Sequence, residues 1–147
     1  MVATAPETIT APSRPGEWSL SQIERVLSRP LPDNLLKTKT IKGSEIQYIP
    51  WHYVNWILSK YAPGFTWEIV RMEFTDSRIF LIGRLTIPTS EGNLYREASG
   101  SELLKDVDKN GQPKEIPYGD PVTNAESQAF RRCAARFGLG LTLYDHK

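Results

Sequence analysis

Between residues 124 and 137 the apolar positions Ala125, Ala129, Phe130, Cys133, Ala134 and Phe137 recur at three- and four-residue intervals. That spacing predicts an amphipathic helix with one core-facing stripe. Gly138 ends it, and the apolar residues beyond predict a short strand or an apolar tail. Two starts fit. Asp120-Pro121 reads as an N-cap followed by a first-turn proline, and Thr123-x-x-Glu126 reads as a capping box. A shorter stripe of Trp18, Leu20, Ile23, Val26 and Leu27 predicts another helix, with Ser19 as N-cap and Pro30 and Pro32 closing it. Pro50 opens a further helix with Tyr53, Val54, Ile57, Leu58 and Tyr61 on its apolar face, and Pro63-Gly64 stops it.

Elsewhere the period shortens to two. Residues 66–74, 78–88 and 94–101 predict strands separated by tight turns at Asp76-Ser77 and at residues 90–93. In the middle strand Ile79, Leu81, Gly83, Leu85 and Ile87 alternate with Phe80, Ile82, Arg84 and Thr86, so one face is apolar and the other mixed. The three form an antiparallel meander. Residues 33–49 carry Lys37, Lys39 and Lys42, then a Gly43-Ser44 turn and an alternating segment with Ile46 and Tyr48, so two short strands are expected there. Residues 103–118, charged and punctuated by Gly111, Pro113 and Pro117, predict a long exposed loop or a loose hairpin. Residues 1–16 hold several Pro, Thr and Ala and are expected to be a flexible tail ahead of a single domain over 17–147.

Composition changes this picture mainly by exclusion. A chain of 147 residues with 39% hydrophobic content can bury a core. Its one cysteine, Cys133, rules out an intrachain disulfide and argues against a thiolate metal site. No apolar run approaches the roughly 18 residues of a membrane span, and the N-terminal segment has neither the basic start nor the apolar core of a secretory signal. A cytoplasmic setting is expected. The formal net charge is only +1, so any attraction for nucleic acid must come from local clustering.

Several chemical readings fail on the residues. Asp106-Val107-Asp108-Lys109-Asn110-Gly111 copies the first half of a calcium-binding loop, but Pro117 stands where a bidentate Glu belongs. His52 and His146 are distant and unaccompanied, which gives neither a triad nor a metal set. Glu97 and Glu102 have no spacing that demands a catalytic pair. Cys133 lies on the apolar face, where an inert thiol is the default. No glycine-rich phosphate loop is present. No enzyme, cofactor or metal is expected.

The basic residues remain. Arg131, Arg132 and Arg136 fall within six residues with no carboxylate between them, and guanidinium forks suit phosphate oxygens. At about 100° per residue, Arg132 and Arg136 lie opposite Phe130, with Arg131 on the flank. The bland alternative is a solvated helix face. Lys39 and Lys42 belong to a second cluster whose simpler reading is an exposed loop.

Two segments together carry a family resemblance. YIPWHYVNWILSKYAPGFTWEI, residues 48–69, has an extended start, a short helix opening near a His, and an aromatic exit into a strand. AESQAFRRCAARFGLGLTLYD, residues 125–145, has a helix with two adjacent basic residues, then Phe-Gly and an apolar run to an aspartate. REASGS, residues 96–101, adds a strand with an acidic residue before a glycine. The ordered set resembles the Rad-fifty-two-type single-strand annealing proteins, including the smaller bacterial and phage relatives of the DdrA-like group. The resemblance implies an α+β fold with a helix packed across an antiparallel meander. It also implies a homo-oligomeric ring whose groove holds single-stranded DNA by its backbone, so that a complementary strand can anneal without ATP in recombination, DNA repair and the damage response. A single-strand binding protein is an implied partner, and association with the nucleoid an implied setting.

Carried over by position, the family's adjacent basic pair falls on Arg131 and Arg132. A further family arginine falls on Ala135, with Arg136 beside it, and a basic residue after the helix-opening His falls on Tyr53. The expected DNA-binding set is therefore Arg131, Arg132, Arg136, Tyr53, Lys39 and Lys42. Two other readings stay open: a strand or end protector that binds without annealing, and a protein-interaction module whose arginines meet acidic surfaces.

Overall fold

A computed structural model of the chain describes residues 9–107, 110–115 and 120–145. The meander is the organising layer. Strands β3 (Thr66–Phe74), β4 (Arg78–Thr89) and β5 (Gly92–Leu103) form an antiparallel sheet in the order β3-β4-β5. β1 (Lys37–Ile41) pairs with β2 (Ser44–Tyr48), and β6 (Lys105–Val107) with β7 (Pro113–Glu115). The helices are α1 (Leu20–Leu27), α2 (Trp51–Tyr61) and α3 (Pro121–Arg136). The fold class is α+β, as the resemblance implied. Within the 103–118 segment, the pairing of the described strands β6 and β7 is the hairpin form of the two expected.

β4 shows why the sheet folds as it does. Ile79, Leu81, Gly83, Leu85 and Ile87 are all buried and the intervening residues are not. Burying that face drives α3 onto β4 and β5, because each large aliphatic side chain gains about 1.5–3 kcal/mol on leaving water. Two glycines set the distance. A Cβ at Gly100 would lie 2.0 Å from the carbonyl oxygen of Ala125, so α3 touches the β5 backbone there. A Cβ at Gly83 would meet the Trp67 ring at 1.9 Å, so the indole occupies the space the glycine leaves. Trp67 then meets Phe130 of α3 edge-on at 5.0 Å between centroids. Its Nε1 donates to Glu126 at 2.9 Å, which satisfies the ring's one polar atom. A break in the β3–β4 register between Ile69 and Arg71 accompanies this approach.

The helix ends are settled locally. Asp120 caps α3 by accepting from Val122 at 3.0 Å, with Pro121 in the first turn, so this start is chosen over the Thr123 capping box. At the other end Leu139 donates to Ala134 and Gly138 to Ala135, with Gly138 at φ 110°. This is a glycine-terminated reversal that satisfies the last carbonyls. It turns Leu139 back into the core, and Leu141–Tyr144 wind into a short 3-10 turn. The strand or tail expected after Gly138 is thus replaced by a compact reversal, because the left-handed residues Gly138 and Gly140 redirect the chain.

α1 carries the expected Ser19 cap as a full capping box with Gln22. Glu91, at the β4–β5 turn, also accepts from the Leu20 amide at 2.8 Å and ties α1 to the sheet. Ahead of α1, Pro12 is buried and Pro15 lies over Gly64.

The close helix–sheet contact carries a stability prediction. Gly100→Ala pushes a methyl group into helix backbone, which has no rotamer to give, so it should cost about 3 kcal/mol, the upper part of the usual overpacking range. Equilibrium denaturant unfolding reads the loss, and an unchanged midpoint would contradict the contact.

Candidate nucleic-acid interface

The β1–β2 hairpin rests beside the basic edge of α3. Its turn residues Lys42 and Gly43 have φ of 50° and 79°, the two left-handed residues of a tight hairpin turn. With Lys37 opposite Tyr48 and Lys39 opposite Ile46, the register places these four side chains on one face of the hairpin. Between the hairpin and α3 lies a groove of about 290 Å³ whose walls include Lys39, Tyr48, Arg131, Arg132 and Tyr144. A second hollow of about 350 Å³ shares Lys39, Tyr48, Gln128 and Arg131 with it and extends to Trp51 and Asn124.

Tyr48 organises the cations. The Arg131 guanidinium lies 5.1 Å from its ring centroid and the Lys39 ammonium 4.9 Å. Both are within cation–π range, so one ring offsets part of the repulsion between two positive groups. Partial desolvation in the groove, with repulsion from Arg131, pulls the Lys39 pKa below the usual lysine range, while nearby Glu102 pulls it back up. Burial raises the Tyr144 hydroxyl's pKa, and Arg131 and Arg132 oppose that rise, which places both arginines in electrostatic reach of it. Arg132 donates to the Ser99 carbonyl at 3.5 Å. Glu102 accepts from Gln128. Among the described residues, ion pairs join Arg71 to Glu73, Arg84 to Glu68 and Glu97, and Arg96 to Glu24; none engages Lys39, Arg131 or Arg132.

The structure therefore brings together three of the six residues expected from the sequence and leaves three apart. Lys42 sits exposed at the hairpin turn, off the groove walls. Arg136 is exposed beyond the groove, and its carbonyl accepts from Arg96, which stacks over Phe137 at 4.6 Å. Tyr53 is half-buried against the core, and its ring meets that of His52 at a tilt, 4.3 Å between centroids. Tyr48 and Tyr144 are not legible in the sequence as site residues. Tyr48 reads as one more alternating strand position, and Tyr144 enters only because the chain reverses after Gly138. His146, and Asp108, Lys109 and Pro117 of the calcium-loop look-alike, lie outside the described residues, and no metal-holding cluster of His, Cys, Asp or Glu occurs within the described ones. No described helix is long and apolar enough to cross a membrane.

Cys133 faces β4, fully buried, with its Sγ 3.4 Å from the Gly83 carbonyl. Burial pushes its thiol up to about 11. The folded state keeps this proton while the unfolded chain loses it near pH ~8.5, so the thiol should withhold stability as pH rises above that value. At pH ~8, where a free thiol begins to ionise, a thiol reagent should label Cys133 only at the unfolding rate. Rapid labelling of the native protein would contradict its burial.

No family model matches the chain. It is 37% identical over 127 residues to the DNA repair RAD52-like protein 1, mitochondrial, of Arabidopsis thaliana, a match covering 85% of this chain and 67% of that protein. It is likewise 37% identical over 129 residues to the DNA repair RAD52-like protein 2, chloroplastic, of the same plant, covering 85% of this chain and 60% of the relative. The chain thus spans about two thirds of the length of these relatives. With that identity over most of its length, the chain belongs to the family of RAD52-like DNA repair proteins.

Proposed function

We propose that this chain binds single-stranded DNA in the groove between the β1–β2 hairpin and α3, and that it promotes pairing of complementary strands in recombination and repair. The observation that carries the reading is the convergence of Lys39, Arg131 and Arg132, from two elements distant in sequence, on one groove walled by Tyr48. Three cations outside the ion pairs of the described residues suit a chain of phosphates, and the tyrosines offer apolar surface between them. The names of the relatives support DNA repair as the process. Annealing needs no bond made or broken and so no nucleotide, in keeping with the missing phosphate loop.

The finer parts of the proposal are a homo-oligomeric ring, a single-strand binding protein as partner, and a cytoplasmic, nucleoid-associated setting in a bacterial or phage context. The ring is supported by charge. A protomer of net charge +1 holds a strand weakly, and repeated grooves along one strand multiply weak contacts. The DdrA-like placement rests on the residue 48–69 and 125–145 segments; the relatives' names are those of plant organelle proteins.

Removing Arg131 and Arg132 together should weaken binding of a single-stranded oligonucleotide by at least about 100-fold, since hydrogen bonds to charged groups contribute about 1.5–3 kcal/mol each. The log–log salt dependence should flatten by about 0.7 for each phosphate that is no longer neutralised, with the mass of the assembly unchanged. Undiminished binding would take the arginines out of the site. In the unaltered chain, faster pairing of two complementary oligonucleotides separates an annealer from a protector. Absence of any salt-sensitive binding would leave contact with acidic proteins instead.

Lys39 gives the pH dependence its sign. Bound phosphate favours the charged ammonium, so binding takes up protons, and affinity should fall as pH rises through the lowered Lys39 pKa. The window lies below the usual lysine range, where arginines remain charged. Titration of affinity by fluorescence anisotropy should show this fall, and Lys39→Arg should remove it. An affinity of the unaltered chain that is flat across the window would contradict it.

A further inference from the structure

The cationic groove does not end at Arg131. Its second hollow reaches Trp51 and Ser127, and those two residues also wall a separate cleft of about 180 Å³ between α2 and α3. The cleft is lined by Trp51, Trp67, Phe130, Asn55, Glu126 and Thr123 in addition to Ser127. Its volume is below the ~300 Å³ at which pockets for drug-sized ligands begin, and is nearer the scale of a single ring system. The floor is rigid. Trp67 is wedged over Gly83, packs edge-on against Phe130 and is fixed through Nε1 to Glu126. Trp51, by contrast, is the first residue of α2 and is 50% exposed. Its one ring contact among the described residues is the edge of His52, at 6.2 Å. An indole left half in water contributes little to the core, so its placement at the junction of a cationic groove and an aromatic cleft points to a ligand.

We propose that this cleft is a nucleobase subsite: a base of the strand held by Lys39 and Arg131 turns inward and stacks on Trp51. The subsite rests on the DNA-binding reading of the groove. Phosphate at Arg131 and a base at Trp51 use the two faces of one hollow, which matches the alternation of charge and ring along a nucleotide. Asn55, Ser127 and Thr123 place donors and acceptors at the rim, and Glu126 has lone pairs beyond the one Trp67 uses, so the edge of any base finds partners. A base held there is withdrawn from pairing, so the cleft fixes where the strand sits along the groove, while neighbouring bases remain free to pair.

The test compares two probes of equal length, an oligodeoxycytidine and an abasic strand with the same number of phosphates, on the unaltered protein, Trp51→Ala and Trp51→Phe. Stacking of a base on an aromatic side chain corresponds to about 5- to 150-fold in affinity. Trp51→Ala should lose a factor in that range for the oligodeoxycytidine and none for the abasic strand, with an unchanged salt slope. Trp51→Phe should keep most of the affinity and, as a conservative change at an exposed helix start, keeps the test valid if the alanine variant misfolds. Equal affinity of all three proteins for the oligodeoxycytidine overturns the subsite. So does an equal loss for both probes, or a change in assembly mass, which would make the cleft a contact between copies. If the unaltered protein binds neither probe, the failure is that of the groove itself.

Discussion

The contact on which this structure depends is the approach of α3 to the backbone of the sheet. Gly100 admits the helix at Ala125, and Gly83 admits the Trp67 ring that Phe130 packs against. A side chain at either glycine would force apart the layers that bury Ile79, Leu81, Leu85 and Ile87 on one side and Cys133, Ala134 and Phe137 on the other. Protein interiors pack at crystal-like density and do not absorb such a displacement smoothly. The same approach fixes the rotation of α3 about its axis. With Ala125, Ala129 and Cys133 against the sheet, Arg131 and Arg132 are left on the edge that meets the β1–β2 hairpin.

The electrostatics follow from that placement. Acidic residues occupy the outer face of the sheet, where Glu68 and Glu97 surround Arg84, and the end of α3, where Glu24 holds Arg96 near the last turn. Those pairs neutralise locally. At the groove the only carboxylate among the described wall residues is Glu102, and Gln128 already donates to it. A chain of nearly balanced charge thereby keeps one unbalanced surface. Two of its cations share a tyrosine ring, and desolvation in the groove, with repulsion from Arg131, lowers the Lys39 pKa.

Local patterns in the sequence carried much of this. The period-two run of β4, the Ser19 cap and the glycine stop at Gly138 are interactions within a few residues, so the sequence displays them directly. The β1–β2 hairpin was visible through Gly43, but the sequence placed its turn at Gly43-Ser44; the structure centres it on Lys42-Gly43, with Ser44 already paired to Ile41, because a left-handed lysine leaves no local signature. Less visible were the start of α3, where two capping patterns overlapped, and the segment after Gly138, where apolar content suggested continuation rather than reversal. Of the six candidate contacts, Lys39, Arg131 and Arg132 share a groove, while Lys42, Arg136 and Tyr53 do not line it.

By itself, the sequence determined the three helices, the meander strands with their buried face and the arginine-bearing edge of α3, because periodicity and capping are short-range physics. It also carried the family resemblance, in two ordered segments. Only the tertiary structure decided which cations act together. Lys39 and Arg131 are far apart along the chain, and their meeting at Tyr48 depends on how the hairpin docks beside α3. The glycines beneath the helix set where α3 lies, and the reversal after it brings Leu139, Gly140, Leu143 and Tyr144 to the groove walls beside the hairpin; neither leaves a periodic signal. Trp51 shows the same division. In the sequence it is one aromatic residue before a histidine; in the fold it stands where a cationic groove meets an aromatic cleft.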